Sequence, residues 1–106
     1  MEGGSGVVNR ILKDIRMFDD NISSVESMLG EERKKDTGLG ETRLKRIEYI
    51  LKLSRMYRSD SSSFLEKGDT DTSFSCISYA HGLLDAMREL LNGDVFENRK
   101  EDREGK

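Results

Sequence analysis

Apolar residues recur at steps of three and four along three stretches of the chain. In the first, about 7–29, Val8, Ile11, Leu12, Ile15, Phe18, Ile22, Val25 and Leu29 share one face of a helix. Arg10, Lys13, Asp14, Asp19 and Glu26 fall mostly on the other side. The second stretch, about 41–67, repeats the pattern with Leu44, Ile47, Ile50, Leu51, Ser54, Tyr57, Ser61, Phe64 and Leu65. Glu41–Lys45 and Glu48–Lys52 are acid-before-base pairs four residues apart on its solvent side. The third, about 71–92, is the most apolar: Phe74, Ile77, Ala80, Leu84, Met87 and Leu91 form one face, and Cys76, Tyr79, Leu83, Ala86 and Leu90 widen it. That combined arc covers roughly two-thirds of the helix circumference, against about a third for an ordinary surface helix. No stretch alternates with the period of a strand.

The predicted fold is therefore all-α, an antiparallel three-helix bundle with helices at about 7–29, 41–67 and 71–92. Glycine punctuates it: Gly30 and Gly93 read as helix stops, and Gly68 as the centre of a turn. Asp69 or Thr70 can accept from the free N–H groups at the start of the third helix. The short turn makes helices two and three an antiparallel hairpin. Counting outward from it sets Phe64 near Ser73, Ser61 near Ile77, Tyr57 near Ala80 and Ser54 near Leu84, large facing small at each level. The serines at 59 and 61–63 predict fraying or bending late in the second helix.

Composition bounds this picture without changing it. A length of 106 residues allows one domain, expected at 7–93, behind a flexible lead at 1–6 and before a charged tail at 94–106 that is expected to be mostly disordered. Charged residues make up 37% and hydrophobic ones 34%, which predicts a modest core under a heavily charged surface. The net charge of −3 supplies no global field for nucleic acid or an anionic membrane. The lone Cys76 rules out an internal disulfide and suits a reducing interior. No stretch approaches the roughly 20 apolar residues of a membrane span. The expected location is cytoplasmic.

Few residues invite chemistry. His81 and Asp85 lie one turn apart, with Asp60 on the neighbouring helix as a third candidate for metal binding or proton transfer. Two ligands do not make a divalent site, which normally needs three or four, and no second histidine exists; the simpler account is a histidine at the edge of the core, hydrogen-bonded to Asp85 or solvent. Cys76 and His81 are about 140° apart on one helix, too far round to act as a thiol–imidazole pair. The inward-facing carboxylate set of the all-α nucleotide pyrophosphohydrolases is missing: Glu31 and Glu32 fall in a linker, Glu41 and Glu48 on a solvent face. Helix two is basic, with Arg43, Lys45, Arg46, Lys52, Arg55 and Arg58, but these spread round the helix rather than forming one patch. Gly82, inside the third helix, costs about 1 kcal/mol relative to alanine. A close approach by a neighbouring helix or by a partner would account for it.

The residues Tyr57, Asp60, Phe64 and Gly68-Asp69, followed by the string Cys76 to Asp85 with its Tyr-Ala-x-Gly-Leu-Leu-Asp core, resemble the signature of an archaeal helical family of unknown function. The match is best over about 57–85. It implies a short all-helical protein with no assigned activity, and it marks Tyr57, Asp60, Tyr79, Gly82 and Asp85 as positions to test; with His81 these form the candidate functional surface. Neither an enzyme nor a cofactor is expected. The preferred reading is a protein-interaction or self-association module acting through the wide apolar arc of helix three, with Tyr79, Leu83, Ala86 and Leu90 as the contact. The alternatives are a small-ligand or nucleotide-handling domain at Asp60, His81 and Asp85, or a weak nucleic-acid binder through helix two.

Overall fold

The computed structural model describes residues 2–35 and 40–92, with three helices: α1 (Glu2–Lys35), α2 (Glu41–Glu66) and α3 (Thr70–Asn92). The all-α three-helix expectation holds. The predicted tail at 94–106 lies outside the described residues. α3 packs against both other helices, whereas α1 and α2 meet only lightly.

Each helix places a heptad-spaced row in one core. Ile11, Ile15, Phe18, Ile22, Val25 and Leu29 from α1 meet Ile47 and Leu51 from α2 and Ile77, Ala80, Leu84, Met87 and Leu91 from α3. Two residues of the expected apolar faces are exposed instead. Leu12 is 40% exposed, one position beyond the strict row, and Phe74 is 37% exposed. Phe74 lies at the edge of the bundle, its ring 5.5 Å from the guanidinium carbon of Arg10. Ser73, fully buried, takes the core position in its place.

α1 is longer than its apolar row predicts. It begins at Glu2, inside the stretch read as a flexible lead. At its other end it runs through Gly30, which therefore does not cap it, to Lys35. Glu31, Glu32, Arg33, Lys34 and Lys35 all favour helix and offset one glycine. An ion pair from Arg33 to Glu48 of α2 and a Glu31–Lys34 pair within α1 hold the added turn.

The α2–α3 turn meets its expectation. Gly68 adopts φ +83°, a left-handed conformation that favours glycine. Its N–H donates to Leu65 O (3.1 Å) and the Asp69 N–H donates to Phe64 O (2.9 Å), a Schellman closure. Asp69 then caps α3, its Oδ1 accepting from the Thr72 N–H at 3.1 Å.

The register of this hairpin differs from the predicted one. Ser61 lies opposite Ser73, not Ile77, and Tyr57 meets Tyr79 rather than standing over Ala80 alone. Ser61 Oγ donates to Ser73 O (2.8 Å), and Ser73 Oγ donates to Ser61 O (2.6 Å). Each hydroxyl thus reaches the opposite backbone, which requires the two helices to approach within the length of a serine side chain. Ser54 and Ala80, one heptad further along their helices, are also fully buried. Ser54 Oγ is satisfied within its own helix by Leu51 O at 2.7 Å. Small faces small along this seam. The serine-rich end of α2 accordingly remains helical to Glu66 instead of fraying.

This seam predicts a size-dependent penalty at Ser61. Ser61→Ala removes one of the two reciprocal bonds and is expected to cost about 1 kcal/mol. Ser61→Leu forces the backbones apart and is expected to cost about 1–3 kcal/mol beyond that. Chemical denaturation of both variants measures the difference; equal losses would contradict the close approach.

Candidate interaction surface

The candidate residues divide between two sides of α3. On the side facing α1, His81 is half-buried, and its Nε2 lies 2.8 Å from Asp14 O. A carbonyl only accepts, so this nitrogen carries the proton and donates. The ring also meets Phe18 edge-on, centroids 5.8 Å apart. The sequence suggests Asp85 or solvent as the partner of His81; the hydrogen bond instead crosses to the α1 backbone. It serves as a tie between helices. Asp85 is exposed beside it.

On the other side, Tyr57 and Tyr79 pack edge to face with centroids 4.6 Å apart. Asp60 is exposed near Cys76. Burial, together with the negative charges of Asp60 and Asp69, pushes the Cys76 thiol above its ordinary value. That is the reverse of the lowered thiol a nucleophile requires. Asp60 and His81 therefore occupy different sides of the hairpin and do not form one cluster. Among the described residues, no group of three or more His, Cys, Asp and Glu is placed to hold a metal ion.

Gly82 points outward. A Cβ built there meets nothing within 4 Å, so no helix–helix contact or other close approach among the described residues explains it.

Two of the basic residues of α2, Arg55 and Arg58, pair with carboxylates of α1. Arg58 grips Asp19 with two bonds, Nε to Oδ1 at 2.9 Å and Nη2 to Oδ2 at 2.8 Å. Arg55 pairs with Glu26, and Glu48 with Arg33. Asp19, Glu26 and Arg33 are spaced by sevens along α1, so the contacts form a ladder between antiparallel helices. The sequence pattern assigns all of these groups to solvent, because periodicity alone cannot say which flank of a core stripe meets a neighbour. A cleft of about 330 Å³ lies between the upper rungs, lined by Glu26, Leu29, Arg33, Glu48, Leu51 and Arg55; its four charges satisfy one another.

A second stripe on α2 is absent from the sequence-based expectations. Thr42, Arg46, Tyr49, Leu53, Met56 and Asp60 follow steps of four and three, about 120° round the helix from the core row. Tyr49 is 65% exposed and Met56 is 53% exposed. A shallow cavity of about 430 Å³ lies on this stripe, lined by Thr42, Lys45, Arg46, Tyr49 and Ile50. Tyr79, 52% exposed, and the half-buried Leu83 of α3 continue the same surface. The regular spacing is visible in the sequence, but the polar Thr42, Arg46 and Asp60 interrupt its hydrophobic pattern.

The fold and its surfaces define a small helical domain without a convergent polar site among the described residues. The model of the family described as protein of unknown function DUF357 matches residues 13–92, and the chain belongs to this family. The match covers most of α1 and all of α2 and α3. No curated protein and no solved structure matches the chain. Among the described residues, no helix is long and apolar enough to cross a membrane.

The two glycines of the hairpin should respond to alanine in opposite directions. Gly82→Ala, at an open helical position, is expected to raise stability by about 0.5–1 kcal/mol. Gly68→Ala is expected to lower it by about 1–2 kcal/mol because its backbone is left-handed. Parallel urea titrations provide the comparison, and a destabilising Gly82→Ala would reveal a contact the fold does not contain.

The Asp19–Arg58 pair makes stability depend on acid. The hydrogen bonds from Arg58 hold the Asp19 carboxyl below its ordinary value of 3.8, outweighing the opposing effect of burial. A lowered folded-state value contributes stability that is full above 3.8 and is lost as pH falls through the lowered value. Asp19→Asn should therefore be less stable than the parent at neutral pH, with the gap closing as the pH drops below 3.8. A gap independent of pH would mean that the Arg58 pair contributes nothing.

Proposed function

We propose that this domain is a non-enzymatic interaction module whose contact surface is the side of the α2–α3 hairpin turned away from α1. The observation that carries this reading is the heptad-spaced stripe on α2, with Tyr49 and Met56 well exposed and Tyr79 of α3 alongside. Large aromatic and Met side chains in one continuous patch are costly to leave in water and are favoured at protein interfaces. The surface moves the expected contact: it keeps Tyr79 and Leu83 of α3 but is centred on α2. Of the marked residues, Tyr57, Asp60 and Tyr79 belong to it, while His81 serves the α1–α3 contact.

The ligand-handling alternative draws no support from the geometry, since Asp60 and His81 do not converge. The nucleic-acid alternative loses Arg33, Arg55 and Arg58 to carboxylates of the same bundle.

The test compares affinity capture by the parent and by the double variant Tyr49→Glu/Tyr79→Glu. Both positions are exposed, so circular dichroism should match the parent, with only a small drop in melting temperature from loss of the Tyr57–Tyr79 contact. A protein held in near-equal amount, resistant to nuclease and lost with the variant, is the expected result. A further copy of the same chain counts as such a protein, read by its mass in solution. Identical capture and identical mass for both forms would refute the assignment of the surface.

A further inference from the structure

The α2 stripe has a symmetry that points to its occupant. Leu53 stands at its middle. Counting the half-buried Ile50 and Tyr57, which flank the stripe on its core side, Ile50 and Met56 lie three residues to either side, Tyr49 and Tyr57 four, and Arg46 and Asp60 seven. Apolar matches apolar, aromatic matches aromatic, and a cation matches an anion. Arg46 and Asp60 are both exposed, and neither has an ion-pair partner among the described residues. They sit about 21 Å apart along the helix, too far to meet within one chain.

We infer that the occupant is a second copy of this chain, docked with its α2 antiparallel to the first about a two-fold axis through Leu53. The inference rests on the reading above of this face as a contact surface. A two-fold axis maps each residue onto its counterpart equidistant from the axis, so a self-complementary surface must be palindromic in chemistry. Under this operation Leu53 meets Leu53 of the second copy. Ile50 meets Met56, and Tyr49 meets the Tyr57–Tyr79 pair. Arg46 meets Asp60 twice, once at each end. Steps of four and three along the stripe are those of a left-handed helix pair, so the contact can run the length of the stripe. A parallel arrangement would instead set Arg46 beside Arg46 and Asp60 beside Asp60. The end charges thus select the antiparallel register. Lys45, whose Nζ lies 3.7 Å from Glu41 Oε1, is already paired in its own helix.

Charge reversal tests this directly. The single variants Arg46→Asp and Asp60→Arg each place like charges at both ends. Each is expected to weaken self-association by about tenfold. The double variant Arg46→Asp/Asp60→Arg restores both pairs and should return to the parent's dissociation constant. Mixing the two single variants should yield a heterodimer, because one chain then carries only acidic ends and the other only basic ends. Sedimentation equilibrium over a wide concentration range measures all four samples, and melting curves confirm that each variant folds.

A cysteine at the axis supplies an independent measurement. In a Cys76→Ala background, Leu53→Cys should cross-link into a covalent dimer under mild oxidation, while Asp20→Cys, exposed on α1 opposite its core row, should not. A parent that stays monomeric at millimolar concentration would overturn the inference. So would a dimer indifferent to the charges at 46 and 60. If the parent is monomeric yet captures a different protein through Tyr49 and Tyr79, the contact surface stands and the second copy does not.

Discussion

The reciprocal bonds between Ser61 and Ser73 fix how near α2 and α3 can lie, and the remaining arrangement follows from that distance. Two hydroxyls that each reach the opposite backbone leave no room for a larger side chain between the helices. Ala80 and Ser54, one heptad on, are likewise small and fully buried. The polar atoms carry no burial penalty, because every buried side-chain donor and acceptor among the described residues has a partner. A hairpin drawn this tight behaves as one thick element. Its apolar groove, lined by Ile47, Leu51, Ile77, Leu84 and Met87, accepts the heptad row of α1.

A consequence appears where α1 meets α2. α1 lies mostly on α3, tied by His81 and Phe18, so it stands off from α2. Short apolar side chains do not fill such a gap well, whereas arginine and glutamate reach across it with their polar ends in solvent. The ladder from Asp19–Arg58 to Arg33–Glu48 is the result. Rungs this exposed each contribute modestly, and their regular spacing serves more to fix the alignment of α1 on the hairpin than to supply stability. They also tie up Arg55 and Arg58, two of the cations that make helix two look basic in sequence.

Hydrophobic periodicity carries most of the fold: three helices, their order and the apolar row of each are legible in the spacing of residues alone. Two kinds of information are not. Register depends on the size of facing residues, and the rule that large faces small sets Ser61 against Ile77, several residues from its actual partner. Helix ends depend on long-range contacts, and so a glycine at 30 with good helix formers beyond it gives a false stop. The candidate site is legible in part. Tyr57, Asp60 and Tyr79 share a surface, but His81 follows the other flank of α3, a distinction that turns on which neighbour lies at each side. The stripe on α2 does not stand out in the sequence because its pattern is not strictly apolar. Its polar ends become informative only once the core row is assigned elsewhere.

The proposed use of this spare apolar face for association has a physical basis beyond the shape of the patch. Short chains bury a smaller fraction of their surface than long ones, so each has little hydrophobic stabilisation to set against chain entropy. Here several large apolar groups, Tyr49 and Met56 among them, remain in water while small residues occupy the central seam. The tight hairpin makes this inevitable: residues admitted to the α2–α3 seam must be small, so bulk is displaced to the flanks. One flank is covered by α1. The other carries the surplus, and covering it recovers burial that the monomer lacks. Any partner that binds only the folded form then raises the stability of that form as its own concentration rises. Under the proposed contact, association and folding are coupled, and the spacing set by two serines is what couples them.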